Sequence, residues 1–319
     1  MRIITLSLLL CGLVIQSFGV RPPLKGYTYA SEQAPTGKEW QSPENLALNK
    51  EQPHAWFFPF QDIKSARKVL PENSIYWQSL NGNWKFNWAA DPDSRPKDFY
   101  KTDFDVTAWD NIPVPSSWNI YGVQQDGSLK YGVPIYVNQP VIFMHSVKAD
   151  DWRGGVMRTP PTNWTTYKYR NEVGSFRREF EIPEHWDGRE VFISFDGVDS
   201  FFYLWINGMY VGFSKNSRNT ANFNITNYLR SGKNIVAAEV YRNSDGSFLE
   251  AQDMFRLPGI FRTVALYSTP KVQIRDLVAT PDLDNNYTDG SLTIQADIRN
   301  FGKKTAKGYK VCYSLYANK

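Results

Sequence analysis

The 319-residue sequence predicts an all-β protein built as a β-sandwich or jelly roll, and three observations support this prediction. Short runs alternate apolar with polar residues, as in residues 84–88 (WKFNW), which is the pattern of a strand with one buried face. Turns rich in Gly, Pro, Asn and Asp separate these runs. No stretch shows a long apolar period of 3.6 residues, so an α/β fold is not favoured.

The composition limits the classes of partner. Aromatic residues make up 15% of the chain, with 11 Trp, 18 Tyr and 20 Phe. Most of them are expected in a β-type core, and the remainder could stack on sugar rings. The formal net charge is only +4, and no Lys/Arg block resembles a nucleic-acid-binding arm. We therefore expect no nucleic-acid partner.

Residues 1–19 are predicted to be a signal peptide. A positive start at Arg2 precedes an apolar run over residues 3–15, and small residues at Ser17 and Gly19 suit a signal peptidase. The run is too short to span a membrane comfortably, so no membrane anchor is expected. Cleavage leaves Cys312 as the single mature cysteine, which excludes a disulfide framework. The predicted location is secreted or periplasmic.

The rest of the chain divides into three predicted segments. Residues 20–78 form an extended arm with one short helix around residues 62–69. Residues 79–269 form the first domain, in which Asn207-Gly208 joins two apolar runs and predicts a tight hairpin. Its predicted strands are 84–88, 191–195, 201–206, 209–213, 235–241 and 261–267.

Residues 270–319 are predicted to begin a second sandwich, with strands at 272–278, 292–298 and 309–315. An immunoglobulin-like sandwich needs about seven strands, and the three strands here cannot close its core. We expect the sequence to be a truncated piece of a longer protein.

No catalytic residue emerges from the motifs. The three histidines, His54, His145 and His185, lie in unrelated contexts, and no nucleophile elbow, zinc motif, phosphate loop or dinucleotide fingerprint is present. Carboxylates are abundant, and the sequence does not rank them as acid or nucleophile.

Several segments resemble the sugar-binding domain of glycoside hydrolase family 2, and two of them, the arm segment and the last segment, resemble its β-galactosidase branch. These segments are 39–44 with 49–50 in the arm, 79–86, 112–118, 195–200 with 205–208 and 211–212, and 244–250 with 252–256 and 259–262. The resemblance implies a galactose-binding-like jelly roll, an immunoglobulin-like β-sandwich, which is incomplete in this sequence, and then a (β/α)₈ barrel that carries two catalytic glutamates. Retaining hydrolysis needs two carboxyl groups about 5–5.5 Å apart. Because that barrel is outside this sequence, the chain alone is expected to be inactive.

The resemblance also implies two site residues. Asn138 matches an asparagine that contacts the substrate, and Asp253 matches an aspartate that contacts the sugar and a sodium ion. Magnesium is a further cofactor that the resemblance suggests for the complete enzyme. The structural alternatives are a turn residue before Pro140 for Asn138 and a loop cap for Asp253. Arg256 and Arg262 are predicted to be structural partners rather than ligands.

The chain departs from the family pattern in two places. Phe255 and Pro258 replace the usual tryptophan and small residue, and an insert of roughly 30 residues, 141–170, follows Asn138. One hypothesis is that Trp152, Trp164 or Tyr167 forms an outer subsite wall for a longer glycan. The alternative is an interface or packing loop.

The leading prediction is the N-terminal part of a secreted β-galactosidase, with a β-galactoside or galactose-containing glycan as substrate. Its expected partners are the barrel domain and, by analogy, further copies of the enzyme. A β-glucuronidase or β-mannosidase is the nearest alternative within the family. A free-standing carbohydrate-binding module and a structural interaction domain are the alternatives from other classes.

Overall fold

The computed structural model describes residues 34–137, 171–250 and 254–316. The chain divides into two compact units, and the boundary lies between Pro270 and Lys271. Within the described residues, no helix combines the length and apolar character that crossing a membrane requires.

The unit that ends at Pro270 is a jelly-roll β-sandwich, so the all-β prediction is confirmed. Strands are numbered in chain order. The larger sheet has seven of them, in the spatial order β1 (Ala47–Leu48), β10 (Met209–Ser214), β9 (Phe201–Ile206), β12 (Lys233–Tyr241), β6 (Val173–Glu181), β3 (Gly82–Ala89) and β4 (Asp110–Val114). The smaller sheet has four, in the order β11 (Ala221–Asn224), β7 (Glu190–Phe195), β15 (Val264–Thr269) and β2 (Trp77–Ser79).

Short elements connect the sandwich. Two small antiparallel pairs join β5 (Ile135–Val137) to β13 (Met254–Arg256) and β8 (Val198–Asp199) to β14 (Gly259–Ile260). The α-helices are α1 (Ile63–Ala66) and α2 (Trp118–Tyr121). The 3₁₀ turns that bear on the site and the arm are Glu39–Gln41, Pro71–Asn73 and Asp245–Phe248.

Strand β9 is buried on both faces, which explains its unbroken apolar sequence. Its alternate residues from Phe202 to Ile206 belong to the core that both sheets share. The intervening residues from Phe201 to Trp205 belong to a second apolar cluster, together with Trp40 of the arm. The outer face of the large sheet is therefore covered by the chain itself.

The arm packs on that outer face. Trp40 is 4% exposed and stacks on Tyr241 of β12, with ring centroids 5.4 Å apart. The Tyr203 hydroxyl donates a hydrogen bond to the Glu39 carboxylate at 2.5 Å. Strand β1 then pairs with β10 and becomes the edge of the sheet.

The predicted helix in the arm forms at Ile63–Ala66, within the predicted range of 62–69. Asp62 starts it as N-cap, since its carboxylate accepts a hydrogen bond from the Ser65 amide at 2.7 Å. This contact satisfies one of the amides that lack a partner inside the first turn.

The predicted hairpin between β9 and β10 is confirmed. Asn207 and Gly208 have φ values of 53° and 82°, the positive values that a type I′ turn requires. The Asn207 side chain accepts a hydrogen bond from the Ile235 amide and donates one to the Tyr228 carbonyl, both at 2.9 Å. The turn is thereby fixed to the neighbouring strand.

The unit that begins at Lys271 contains one long hairpin of β16 (Val272–Leu283) and β17 (Gly290–Asn300). The third strand predicted here, 309–315, is wrong, because residues 309–316 form no strand. Tyr309 and Leu315 are 61% and 83% exposed. An alternating pattern becomes a strand only beside another strand that completes its hydrogen bonds, and no described strand pairs with this segment.

Candidate functional site

The predicted site residues Asn138 and Asp253 lie outside the described residues, as do Trp152, Trp164 and Tyr167 of the insert. The described part of the chain includes a direct sequence neighbour of Asn138 and of Asp253. Strand β5 ends at Val137, directly before Asn138, and β13 begins at Met254, directly after Asp253.

The two strands pair with each other. In the antiparallel register, Val137 lies opposite Met254 and Ile135 lies opposite Arg256. Two segments more than 100 positions apart in sequence are thus joined at the positions next to Asn138 and Asp253. Strands of three residues give almost no periodic signal, so this pairing could not be predicted from sequence.

A buried ion pair supports the paired strands. Arg242 Nη1 lies 2.8 Å from Glu172 Oε1, and the two side chains are 1% and 0% exposed. Arg242 Nη2 donates to the carbonyls of Val133 at 2.9 Å and Arg256 at 3.4 Å. One guanidinium therefore contacts the chain just before β5 and the last residue of β13.

The other oxygen of Glu172 is also occupied. Glu172 Oε2 accepts hydrogen bonds from Trp118 Nε1 at 3.0 Å and Asn119 Nδ2 at 3.2 Å. Gly132 passes so close that a Cβ there would lie 2.1 Å from Glu172 Oε1. A buried carboxylate with this many partners is a fixed structural anchor, which suits a group that must hold the two strands in register.

A second polar group lies around Ser217. Its amide and hydroxyl donate to the two oxygens of the Glu250 carboxylate, at 2.7 and 2.5 Å. The same hydroxyl is 3.4 Å from Asp199 Oδ1, and Arg218 Nη2 is 3.5 Å from Asp199 Oδ2. Arg218 Nη2 is also 3.2 Å from the sulfur of Met254, the residue that directly follows Asp253.

The pKa of Asp199 is raised to about 6, mainly by burial; the Arg218 guanidinium opposes this rise, and the Glu250 carboxylate adds to it. A carboxyl in this range changes protonation near neutral pH. Both carboxylates of this group are engaged by internal partners, so they are suited to positioning the neighbouring chain.

The chain before Asp253 is fixed as well. Ser244 begins the 3₁₀ turn Asp245–Phe248 with a capping box to Ser247. Lys215 Nζ lies 2.8 Å from an Asp245 oxygen and donates to the Ser42 carbonyl at 2.6 Å. The arm, β10 and the segment that leads to residue 251 therefore meet at one lysine.

The arginines predicted to be structural have internal contacts. Arg256 Nη1 donates to the Glu250 carbonyl. Arg262 Nη1 donates to the Arg218 carbonyl at 2.7 Å, and its guanidinium lies over the Phe261 ring. Sequence reasoning missed Glu172, Arg242, Lys215 and Ser217, because their partners are distant along the chain.

Within residues 34–137, 171–250 and 254–316, no three His, Cys, Asp or Glu side chains are grouped so that they could hold a metal ion. The sodium and magnesium suggested by the resemblance thus find no ligand set among these residues, and no chemical step is derived through them.

The sequence matches the family model described as glycosyl hydrolases family 2, sugar binding domain, over residues 77–270, which is more than half of the chain. The matched range spans both sheets of the sandwich except β1, and it includes β5 and β13.

Curated relatives show the same likeness. The chain is 42% identical over 264 residues to a β-galactosidase of Priestia megaterium, covering 82% of this chain and 24% of that protein. It is 36% identical over 259 residues to a β-galactosidase of Halalkalibacterium halodurans, covering 81% and 23%. Against the β-galactosidase large subunit of Lactobacillus helveticus, identity is 34% over 272 residues, covering 82% and 40%. The chain thus spans well under half the length of each of these proteins.

Solved structures give weaker likenesses. A β-glucuronidase from glycoside hydrolase family 2 aligns with a TM-score of 0.49 and 19% identity, covering 70% of this chain and 22% of that one. A β-glycosidase from Bacteroides vulgatus aligns with a TM-score of 0.48 and 22% identity, covering 72% and 25%. Neither likeness bears on the substrate of this chain.

Proposed function

The chain belongs to glycoside hydrolase family 2, and from this premise we propose that it is the N-terminal part of a secreted β-galactosidase. In this proposal the complete enzyme hydrolyses terminal β-galactosides with retention, and this chain contributes substrate-contacting loops and structural support. The curated relatives named β-galactosidase support it, since they match over four fifths of this chain. The catalytic carboxylates would lie in the barrel domain of the longer protein.

The observation that carries the proposal is the pairing of Val137 with Met254. Asn138 directly follows Val137 and Asp253 directly precedes Met254, so the pairing joins the chain at the positions next to both residues, which suits a shared substrate contact. Arg242, which pairs with Glu172, contacts the chain at Val133 and Arg256 beside these strands. Ser217 holds Glu250, the last described residue before Asp253. Pre-organised supporting contacts of this kind keep binding groups in a productive geometry.

The proposed roles follow from side-chain chemistry. The Asn138 amide both donates to and accepts from sugar hydroxyls, and the Asp253 carboxylate accepts from them. A contact made equally to the bound substrate and to the transition state affects KM, whereas a contact made only in the transition state affects kcat.

The test uses the complete enzyme with Asn138→Ala and Asp253→Ala, assayed on an aryl β-galactoside. We expect each variant to lower kcat/KM at least tenfold, with an unchanged melting temperature. Matched controls are Asn285→Ala and Asp187→Ala, which remove the same chemical groups from exposed positions. If the site variants matched these controls, the chain would have a purely structural role.

The substrate class is tested with a panel of aryl glycosides. We expect the galactoside to be turned over with the highest kcat/KM among galactoside, glucuronide and mannoside. A preference for the glucuronide or the mannoside would replace the proposed substrate while leaving the family assignment intact.

Three further parts of the proposal concern the complete protein. Export is tested by sequencing the N-terminus of the mature protein, which should begin after residue 19. Sodium and magnesium dependence is tested by assay after removal of each ion. The outer-subsite role of Trp152, Trp164 and Tyr167 predicts that alanine variants lose activity on longer glycans more than on aryl galactosides.

A further inference from the structure

The outer face of the four-stranded sheet carries a cleft of about 360 Å³. Ile193 and Leu266 of this sheet point into the core, so the alternate residues Ser194 and Tyr267 point outwards and line the cleft. His54 and residues 56–58 of the arm line the same cleft. A sheet face that would otherwise be open to solvent is thus converted into a walled site.

Aromatic rings form much of the cleft wall. Trp56 is 61% exposed and packs edge-on against Phe58, with ring centroids 5.3 Å apart. Tyr267 stacks on Phe192 with centroids 5.0 Å apart and planes 7° apart, so its ring has a fixed orientation. Flat apolar rings suit the C–H faces of a pyranose, because both surfaces are rigid and weakly hydrated.

Polar side chains between the rings are held in place. Ser194 donates to Asp196 Oδ1 at 3.0 Å. Asn222 Nδ2 is 3.2 Å from His54 Nε2, and His54 Nδ1 is 2.7 Å from the Ala55 carbonyl. These contacts fit a His54 tautomer that accepts from Asn222 and donates to Ala55. Carboxylate and amide groups of fixed orientation can pair with hydroxyls, which both donate and accept.

The charge of the lining selects among ligands. Glu72 and Asp196 line the cleft, and no Lys or Arg is found among its described lining residues. Two carboxylates without a cationic side chain disfavour phosphates and acidic sugars. The volume is near the lower end of the range for ligand pockets, which runs from about 300 to 1,000 Å³.

We propose that this cleft is a carbohydrate-binding site for one or two pyranose residues of a neutral glycan. The proposal goes beyond hydrolysis, because it assigns a binding activity to the arm and the small sheet that does not depend on Asn138 or Asp253. Trp56 and Tyr267 supply the stacking surfaces, and Asp196 and Asn222 supply the hydroxyl contacts.

The experiment uses the complete protein carrying Asn138→Ala and Asp253→Ala, so that turnover at the proposed substrate site is suppressed. Calorimetric titration with lactose and with cellobiose measures binding, and hydrogen–deuterium exchange locates it. We expect millimolar or tighter binding of at least one disaccharide, with slower exchange in peptides that cover residues 54–60 and 263–267. Adding Trp56→Ala should weaken this binding at least fivefold, and Asp196→Asn should weaken it at least threefold.

Tyr287→Ala is the matched control, since Tyr287 is an aromatic residue that is 80% exposed in the unit that begins at Lys271. It should leave the affinity unchanged. Galactose should also bind more tightly than galacturonic acid, which differs in carrying a carboxylate.

Three outcomes would overturn the proposal. The first is no binding of either disaccharide at tens of millimolar. The second is equal affinity with and without Trp56→Ala. The third is slow hydrogen–deuterium exchange of the cleft peptides in the complete protein without sugar, with no further change when sugar is added. Another part of the protein would then occupy the cleft. Loss of turnover in the Asn138 and Asp253 variants bears only on the proposed function, so the two proposals can fail separately.

Discussion

Arg242 and Glu172 form an ion pair with an N–O distance of 2.8 Å and side-chain exposures of 1% and 0%. Glu172 precedes β6, and Arg242 directly follows β12, the neighbouring strand. The pair therefore connects the ends of two adjacent strands. Through Arg242 Nη2 it also contacts Val133, just before β5, and Arg256, the last residue of β13.

Breaking this pair from one side should be costly. Arg242→Met leaves an unpaired carboxylate in the interior, and such losses destabilise proteins by about 3–5 kcal/mol. We expect faster hydrogen exchange in peptides covering residues 132–137 and 254–258 of the complete protein. The double variant Arg242→Met with Glu172→Leu should lose less stability than the sum of the losses in the two single variants.

The exposed pair of Lys233 and Glu179 provides the control. Its N–O distance is 3.2 Å and its side chains are 72% and 62% exposed. Lys233→Met should change exchange little, since exposed ion pairs contribute little to stability. Equal effects of Arg242→Met and Lys233→Met would show that the buried pair does not anchor the strands.

The contact of β1 with β10 depends on Gly212. A Cβ at this position would lie 2.1 Å from the Leu48 carbonyl oxygen and 3.0 Å from its carbonyl carbon. We expect Gly212→Ala to displace β1 and to raise proteolytic cleavage and hydrogen exchange around residues 46–50. The backbone atoms of Leu48 cannot rotate away as a flexible side chain could.

Gly232→Ala separates this steric effect from backbone strain. Gly232 has a φ of 74°, and its Cβ would have no neighbour within 4 Å. A cost of about 1–2 kcal/mol is expected from the left-handed conformation, with exchange in the arm unchanged. Comparable loosening of residues 46–50 in both variants would argue against the close approach at Leu48.

Asp199 should make stability depend on pH. Burial is the main cause that raises its pKa from 3.8 to about 6. Because the folded state then holds the proton more tightly than the unfolded state, the stabilisation from this proton is complete below about pH 4. It is lost as pH rises to about 6. A shift of this size corresponds to about 3 kcal/mol.

Asparagine does not ionise, so Asp199→Asn should remove this contribution to the dependence of the free energy of unfolding on pH. We expect a smaller decrease in the free energy of unfolding between about pH 4 and 6 than in the unmodified protein, measured by urea unfolding. Asp187→Asn, at an exposed position, should leave the slope unchanged. An identical slope in the Asp199 variant would place the pH dependence elsewhere.

The turn at Asn207 allows its two contributions to be separated. Asn207→Gly keeps the positive φ but removes the hydrogen bond to the Ile235 amide, whereas Asn207→Ala removes the bond and adds strain. We expect a loss of about 1–3 kcal/mol for Gly and about 1 kcal/mol more for Ala. Equal losses in urea unfolding would mean that alanine adopts the positive φ at this position without added strain.

The sequence predicts local features better than distant ones. Asn207-Gly208 and the alternation of β3 were visible because turn chemistry and side-chain period act over a few residues. Trp40 and Tyr241 stack across 201 positions of sequence, and Glu172 and Arg242 pair across 70, so no local pattern could reveal them. The strand predicted at 309–315 is wrong because alternating residues favour a strand but form one only beside a neighbouring strand.

The candidate site divides in the same way. Asn138 and Asp253 came from resemblance to a family, and no local rule would have selected them among many asparagines and aspartates. The support of the neighbouring chain by Arg242, Lys215 and Ser217 required three-dimensional positions, as did the raised pKa of Asp199, which depends on burial.

The two residues of β1 also affect how the protein behaves in a crowded solution. Without Ala47–Leu48, the large sheet would keep six strands, and strand β10 would become its edge and present unpaired N–H and C=O groups beside apolar side chains. Such an edge is a template for strands of other copies, which leads to aggregation. A version that starts after residue 50 is therefore expected to self-associate with rising concentration. By covering the edge of the large sheet, the arm thus keeps the sandwich soluble.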